Sequence, residues 1–203
     1  MIMGKVYATA SMSLDGYIAG PGESGFDRLM RWHDSGDVEV PVLGRTFRMS
    51  QASAIHWREM AGAAGAGVIG RRLFDLTDGW GGNSPTGEPV FVVTHRFPEH
   101  WRDRETSAPF TFVTEGGVAA AIEQAKAAAD GKDVNVAAGT MARQALELGL
   151  LDEVWVDLSP VFLGDGVPFM SGLKSDDAPV DLEGPVSVLQ GNGVTHLRYR
   201  VVR

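Results

Sequence analysis

The chain of 203 residues contains no cysteine, which excludes disulfide bonds, thiolate zinc sites and a catalytic thiol. It has no apolar run approaching the roughly 18 residues of a membrane span, and its start lacks the apolar stretch of a signal peptide. We therefore expect a cytoplasmic protein that does not enter a membrane. Positive charge is scarce, because 18 lysines and arginines face 26 aspartates and glutamates for a net charge of −8, which disfavours nucleic acid as a partner.

Signatures of several common chemistries are missing as well. The five histidines show no H-E-x-x-H or other ligand spacing, so we predict no metal site. The sequence has no G-x-S-x-G nucleophile motif and no G-x-x-x-x-G-K-[ST] phosphate loop, which argues against a serine hydrolase and a P-loop nucleotidase.

The composition that remains is that of a globular protein, with 44% hydrophobic and 22% charged residues. No repeat or linker divides the chain, so we predict that residues 1–203 form a single domain. Strand-like segments alternate with helical ones, a pattern typical of an α/β sheet with parallel strands. We predict strands at 5–11, 68–69, 90–94, 110–113, 134–138 and 154–158, and helices at 24–34, 50–64, 71–77, 118–129 and 140–149, the last with Thr140 as a possible N-cap.

The pattern changes at the C-terminus. Residues 186–190 and 194–202 flank Gly191-Asn192-Gly193, which is a strong signal for an antiparallel hairpin. The segment 38–48 stays ambiguous.

The segment GAGVIG (65–70) matches the dinucleotide fingerprint G-x-G-x-x-G letter for letter. That fingerprint requires a strand before it and a helix that opens within it, whereas here a helical pattern comes first. We therefore expect Gly65 and Gly67 to end a helix and turn the chain. Gly70 is expected at the carboxyl end of the next strand.

Three predicted strands end in residues suited to anions. Arg71 and Arg72 follow one strand, Thr94-His95-Arg96 end another, and Ala138-Gly139-Thr140 lead from a third into a helix. Helix N-termini, arginine side chains and glycine backbones all accommodate phosphate. Because ligands of open α/β sheets bind at the carboxyl ends of strands, a phosphorylated, nucleotide-sized ligand is predicted there. The alternative is that these are ordinary turn residues and solvated arginines.

These residues belong to a wider resemblance. The sequence resembles the dihydrofolate reductase-like superfamily, nearest to the reductase domain of the bifunctional riboflavin-biosynthesis deaminase/reductase and its stand-alone relatives, in the blocks SLDGYIA (13–19), VIGRR (68–72), VVTH (92–95), VAAGT (136–140) and LLDE (150–153). The resemblance implies a three-layer fold with a mainly parallel sheet of about eight strands and a C-terminal antiparallel hairpin. It also implies NADPH as the cofactor, bound across the carboxyl edge of the sheet.

The resemblance assigns residues to each end of that cofactor. Arg71, after Gly70, would meet the 2′-phosphate and Arg72 the other phosphates, while Thr94, His95 and Arg96 would lie on the adenosine side. Ala138, Gly139, Thr140 and Met141 would line the pyrophosphate and the nicotinamide ribose, and the loop 15–20 would close over the nicotinamide with Ile18 nearest.

Two positions depart from the family pattern. Family members commonly carry Gly-Gly where this chain has Ala138-Gly139, and classical dihydrofolate reductases carry a phosphate-binding threonine where it has Leu73. The Gly-Gly bond of those reductases is cis. We predict a cis bond between Ala138 and Gly139 as well.

The substrate side is less clearly marked. By resemblance, Asp27 is the nearest candidate for an acid that assists protonation, although Ser24-Gly25-Phe26-Asp27 also matches a helix capping box, which we favour. Asp15 suits a turn better than acid catalysis. Tyr17, Trp80 and Phe169 could stack on a planar heterocycle or could pack in the core.

Together these features predict an NADPH-dependent reductase that transfers a hydride to a C=N or C=O bond of a small heterocyclic substrate resembling a pterin or a pyrimidine. A protein that binds NADPH without turnover is the alternative, and a scaffold without cofactor is a third. Relatives of this kind are often homodimers, so we expect one here.

Overall fold

The computed structural model describes residues 4–173 and 179–202. The first three residues, part of the start of the chain considered above for a signal peptide, lie outside it. Within the described ranges the strands are β1 (Val6–Ser13), β2 (Tyr17–Ala19), β3 (Val38–Val42), β4 (Arg45–Met49), β5 (Ala64–Gly70), β6 (Val90–Val93), β7 (Phe110–Val113), β8 (Asp133–Ala137), β9 (Glu153–Ser159), β10 (Val167–Pro168), β11 (Leu182–Gly191) and β12 (Val194–Val201). The helices are α1 (Phe26–Leu29), α2 (Gln51–Ala63), α3 (Arg71–Gly82), α4 (Gly117–Ala128) and α5 (Thr140–Glu147).

Eight strands form one sheet in the order β11-β12-β9-β1-β8-β5-β6-β7. The run from β9 to β7 is parallel, whereas β12 is antiparallel to both β9 and β11. The prediction of a mainly parallel α/β sheet with a C-terminal antiparallel hairpin is therefore confirmed. The ambiguous segment 38–48 is the separate hairpin β3–β4.

The sheet is covered on both faces. One face packs against α4 and α5, whose small buried residues such as Ala121 and Ala142 let the helices approach the strands closely. The opposite face carries α2 and α3. The parallel register brings the carboxyl ends of β1, β8, β5 and β6 to one edge, with Gly70 beside Val93 and Thr9 beside Ala137. Among the described residues, no helix has both the length and the apolar character needed to span a membrane.

The glycines of the GAGVIG segment do not turn the chain, which corrects the sequence prediction. Gly65 and Gly67 lie inside β5. The helix α2 ends at Ala63 and β5 begins at the next residue, so no turn separates them. A Cβ on Gly65 would lie 2.6 Å from the carbonyl oxygen of Ala129. The missing side chain therefore serves the close approach of the strand to the end of α4, not a reversal.

Two helix predictions also need correction, and a third agrees with the structure. The helix predicted at 24–34 is only α1 followed by a 3-10 turn over Arg31–Asp34, because Met30 between them leaves helical geometry with ψ of 6°. The N-cap of α5 is Gly139, not Thr140, and it makes no side-chain capping bond. In α3 the backbone is left-handed from Asp78 to Gly81, so the right-handed helix stops near Thr77 as predicted.

Candidate functional site

Arg71 joins the ends of two neighbouring strands. It begins α3 directly after β5, and its Nη1 atom donates to the carbonyl of Arg96 at 3.2 Å and lies 3.4 Å from Thr94 Oγ1. Thr94 follows β6, is buried, and donates its hydroxyl to the Arg96 carbonyl at 2.9 Å. The structure thus brings together Arg71, Thr94 and Arg96, whereas His95 between the last two is exposed.

Both arginines at the start of α3 already have acidic partners. The Nε atom of Arg71 lies 2.7 Å from Asp75 Oδ1 one helical turn later. The Nε atom of Arg72 pairs with the carboxylate of Glu23, which comes from the turn after β2. Neither acid is among the site residues predicted from the sequence. Asp75 could have been found from its i,i+4 spacing, but no local pattern connects Glu23 to Arg72.

Gly139 lies where the loop after β1 meets β10 and α5. Its N–H donates to the carbonyl of Phe169 at 2.6 Å, and its φ of +84° and ψ of −133° are values that favour glycine. A Cβ on Gly139 would lie 3.7 Å from Ile18 Cδ1, and a Cβ on Gly70 would lie 3.5 Å from Met141 Cγ. The structure therefore gathers Ile18, Gly139, Met141 and Gly70 at one edge, next to the partly buried Ala138 and the exposed Thr140.

The peptide bond between Ala138 and Gly139 is trans, so the prediction of a cis bond is wrong. The cis bond found among the described residues is Gly184–Pro185. The trans arrangement holds the Gly139 N–H toward the Phe169 carbonyl, where it is satisfied. One support for the cofactor pose implied by the resemblance is thereby removed.

Asp15 is engaged in holding its own loop. Oδ1 accepts from Ser13 Oγ at 2.6 Å and from the Leu163 N–H at 3.1 Å, while Oδ2 accepts from the Gly164 N–H at 2.7 Å. The hydrogen bond from Ser13 lowers the pKa of Asp15 most, and those from Gly164 and Leu163 add to it against the opposing effect of desolvation. These contacts match the turn-forming role expected of Asp15.

The three aromatic candidates lie in two different places. Tyr17 pairs with Pro168, and the N–H of Phe169 donates to the Gly16 carbonyl at 3.0 Å, so both belong to the loop beside Gly139. Phe169 itself is buried in the main core. Trp80 instead packs with Phe74 and other apolar residues against β6 and β7.

Asp27 lies on the surface. Its side chain is 77% exposed and its Oδ2 atom is 3.2 Å from Arg28 Nε. The predicted capping box does not form, because the N-cap of α1 is the left-handed Gly25 and Ser24 Oγ donates to the Pro21 carbonyl instead. The preferred explanation of Asp27 as a capping residue is therefore wrong.

A buried polar cluster lies under α2 and escaped sequence analysis. His196 Nδ1 lies 2.7 Å from Asp157 Oδ1, His56 Nε2 lies 2.9 Å from the same oxygen, and Ser53 Oγ is 2.9 Å from His196 Nε2. Burial alone would raise the pKa of Asp157, but the hydrogen bond with His196 and the close approach of His56 outweigh it and lower that pKa. An aspartate inside an otherwise apolar strand was the available signal.

The cluster has the residue types of a metal site, with its possible ligand atoms within 4.8 Å of one another. The two imidazole rings, however, are stacked with centroids 4.1 Å apart and planes 16° apart. Parallel rings direct their lone pairs side by side, whereas a tetrahedral ion requires them to converge. In this arrangement His196 is hydrogen-bonded to both Asp157 and Ser53, and His56 lies beside the same carboxylate without hydrogen-bond geometry.

Two cavities lie away from Arg71 and Arg72. One of about 450 Å³ lies at the amino ends of the strands, beside Lys5, Glu153 and Arg200. The other, of about 340 Å³, lies between Trp32, Pro160 and Asn192. Neither of these two cavities is lined by the segments 70–72 or 138–141.

Comparisons with known proteins agree with this architecture. Similar solved structures include a protein of Shewanella sp. PV-4 assigned to riboflavin biosynthesis (19% identity, TM-score 0.67, 98% of this chain and 99% of that chain). They also include a diaminohydroxyphosphoribosylaminopyrimidine deaminase/5-amino-6-(5-phosphoribosylamino)uracil reductase of Thermotoga maritima (14%, 0.62, 98% and 57%). A dihydrofolate reductase of Enterococcus faecalis complexed with NADP(H) is a third (14%, 0.54, 100% and 99%). At these identities the likeness establishes the dihydrofolate reductase-like fold.

The chain corresponds to only 57% of the length of the Thermotoga protein. A comparison with curated protein sequences finds no match. The family model of the RibD C-terminal domain, by contrast, matches residues 4–195. Because that match extends over almost the entire sequence, the chain belongs to the RibD C-terminal domain family.

Proposed function

We propose that this protein is an NADPH-dependent reductase acting on a small heterocyclic substrate. The observation that carries the proposal is the convergence of Arg71, Thr94 and Arg96 at the carboxyl ends of β5 and β6, one strand away from Gly139 at the end of β8. Neighbouring strands are about 4.8 Å apart, so this edge spans the dimensions of a nucleotide. Family membership and the fold support the same conclusion.

The residues at the edge suit the chemistry of NADPH. A guanidinium binds phosphate by charge-assisted hydrogen bonds, and a glycine at position 139 leaves the backbone open to close approach. We assign the 2′-phosphate to Arg71, the pyrophosphate to Arg72 and the amides after Gly139, the adenosine side to Thr94, His95 and Arg96, and the nicotinamide side to Ile18, Ala138, Thr140 and Met141. When bound, the cofactor supplies the hydride, and the protein supplies positioning and electrostatics.

The substrate class is inferred from the relatives. The Thermotoga structure is described as a reductase of a phosphoribosylamino-uracil, and a pyrimidine reductase-like protein of Corynebacterium diphtheriae has the same fold with a TM-score of 0.60. We therefore propose a pyrimidine- or pterin-like ring with a reducible C=N or C=O bond. Of the aromatic candidates, Tyr17 is the proposed stacking group, because Phe169 is buried in the main core and Trp80 packs with Phe74 against β6 and β7. Asp15 is a proposed polar contact and Asp27 the proposed proton donor.

One observation favours the second candidate, an NADPH-binding protein without turnover. Asp27 is exposed and paired with Arg28, and both carboxylate oxygens of Asp15 are engaged by its own loop. Asp15 is therefore occupied by its own loop, and Asp27 lies on an exposed surface instead of in an enclosed pocket. A sensor would keep the arginines and need no donor.

One experiment separates the two functions. Binding of NADPH is measured by calorimetry, and its oxidation is followed optically with a panel of pyrimidines, pterins and carbonyl compounds. A reductase consumes NADPH with at least one ring class, and Asp27→Asn then shifts the pH dependence of kcat. Tight binding without consumption across the panel identifies the sensor, and absence of binding rejects both.

We also propose a homodimer in the cytoplasm. One face of the hairpin β11–β12 is apolar and open, with Val188 54% and Leu182 44% exposed on the side that also carries Leu197 and Val201. A second copy would bury this surface. Light scattering should give twice the monomer mass, and Val188→Lys should yield monomers. A monomeric parent protein would reject the proposal.

A further inference from the structure

The turn Pro21–Glu23 connects two parts of the proposed cofactor site, namely Gly139 at the start of α5 and Arg72 at the start of α3. Pro21–Glu23 forms a 3-10 turn after β2, closed by a bond of 2.8 Å from the Gly20 N–H to the Ser24 carbonyl. Gly22 and Glu23 both have a φ of +62°, which is left-handed. For a side-chain-bearing residue that conformation is costly, so contacts made by Glu23 must help to hold it.

The contact that Glu23 makes is an ion pair with Arg72. The carboxylate meets Arg72 Nε, and the Glu23 side chain is only 20% exposed whereas that of Arg72 is 72% exposed. Within the described ranges, no other ion pair of Arg72 is found. A cation in the first turn of a helix opposes the helix dipole, so Arg72 attracts an anion, and Glu23 supplies one where a phosphate would otherwise lie.

The segment 18–23, which carries Glu23, contacts both parts of the proposed cofactor site. At one end, Ile18 approaches Gly139 at the start of α5, and Ala19 pairs with Val167 of β10. At the other end, Glu23 holds Arg72 at the start of α3. Gly139 follows β8 and Arg71 follows the adjacent strand β5. A dinucleotide lying from Gly139 to Arg71 would therefore pass the Glu23–Arg72 ion pair.

We propose that Glu23 is an affinity-setting residue that competes with the cofactor pyrophosphate for Arg72. Cofactor binding then requires the Glu23–Arg72 pair to open, and the turn 21–23 is released from α3 when it does. This inference rests on the proposed function for the identity of the ligand, but the competition itself applies to any pyrophosphate. The pyrophosphate is common to NADPH and NADH, so Glu23 lowers the affinity for both equally.

The test compares three variants with the parent protein. Glu23→Gln removes the charge, and Glu23→Gly removes it in a residue that accepts the left-handed turn, so folding is retained. Glu99→Gln is the matched control, because it breaks an exposed ion pair with Arg102 elsewhere. Dissociation constants for NADPH, NADH and inorganic pyrophosphate are measured by calorimetry.

A charge-assisted hydrogen bond between partly exposed groups corresponds to about a tenfold change in affinity. Both Glu23 variants should bind NADPH and NADH about tenfold more tightly, by the same factor, and Glu99→Gln should bind as the parent does. Arg72→Ala is also combined with the parent protein and with each Glu23 variant. In the presence of Arg72→Ala, the Glu23 substitutions should no longer increase the affinity for either cofactor. Unchanged or weaker binding by the Glu23 variants would overturn the inference.

The pyrophosphate arm separates this inference from the proposed function. Tighter pyrophosphate binding by Glu23→Gln, with no NADPH binding by any variant, would uphold the competition and reject the reductase. NADPH binding by the parent without any gain in the variants would reject the competition and leave the proposed cofactor in place.

Discussion

His196 Nδ1 and Asp157 Oδ1 are 2.7 Å apart, and both side chains are buried between the sheet and α2. Asp157 comes from β9 and His196 from its antiparallel neighbour β12, where the two residues are register partners. Ser53 of α2 closes the other side of the imidazole at 2.9 Å. The pair therefore joins α2 to the sheet through buried side-chain hydrogen bonds.

Removal of the charge from Asp157 should destabilise the protein strongly. Loss of a buried carboxylate that accepts hydrogen bonds costs about 1.5–3 kcal/mol, because its partners stay buried with their hydrogen bonds weakened. We expect Asp157→Asn to lower the free energy of unfolding in urea by about that amount. Asp27→Asn, at an exposed position, is the control and should change it little. A loss for Asp157→Asn as small as that of the control would contradict the network.

The Asp157 carboxylate should also make the free energy of unfolding depend on pH in the acidic range. Its pKa is lowered in the folded protein, so its contribution is complete above the unfolded pKa of about 4 and declines as the pH falls below that value. Urea unfolding between neutral pH and strong acid should show this decline in the parent protein and a shallower one in Asp157→Asn. Parallel curves would exclude Asp157 as the source.

His33 should produce a separate pH effect. Burial lowers the pKa of His33 from 6.5 to about 4, in spite of nearby Asp157 and Asp34. Between those pH values His33 is protonated in the unfolded chain but not in the folded protein. The free energy of unfolding should therefore fall by about 3 kcal/mol as the pH drops from about 6.5 to 4. Below the folded value the effect stops. His33→Phe should remove this slope, whereas His100→Gln, at an exposed site, should retain it.

Arg71 should contribute to the binding of NADPH but not of NADH. One charge-assisted hydrogen bond corresponds to about 10- to 100-fold in affinity, and the partial exposure of Arg71 points to the lower end. Arg71→Ala should weaken NADPH binding by about that factor and leave NADH nearly unaffected, as measured by calorimetry. Arg102→Ala serves as the control. Equal losses for both cofactors would assign Arg71 to a shared part of the ligand.

Two glycines at the same edge should tolerate alanine differently. Gly139 has a φ of +84°, so Gly139→Ala forces an unfavourable backbone and should cost about 1–3 kcal/mol of stability. Gly70 has a φ of −86°, and a Cβ there would make an ordinary contact of 3.5 Å with Met141. Gly70→Ala should therefore unfold at nearly the parent temperature. Similar losses for both variants would refute the distinction.

Local sequence patterns predicted much of the fold because strands and helices have their own periodicities. The hairpin around Asn192-Gly193 and the strand Phe110–Val113 follow directly from alternation and turn residues. The failures fall where a neighbour distant in sequence intervenes. Gly65 looked like a helix terminator, but the approach of Ala129 makes it part of a strand.

The site shows the same division. Arg71, Thr94 and Gly139 could be predicted as an edge because parallel strands present their carboxyl ends together. The partnership of Glu23 with Arg72 could not, because it depends on the path of a turn with no periodic pattern.

The sequence by itself determined most strands of the main sheet, the closing hairpin and the basic residues at strand ends, since these depend on neighbours within a few positions. Tertiary structure alone decided that Ser53 meets His196 across 143 positions and that Asp157 is enclosed by two histidines. Such contacts depend on strand register and on how α2 packs on the sheet. Both are settled by the burial of the whole chain, and no single segment encodes them.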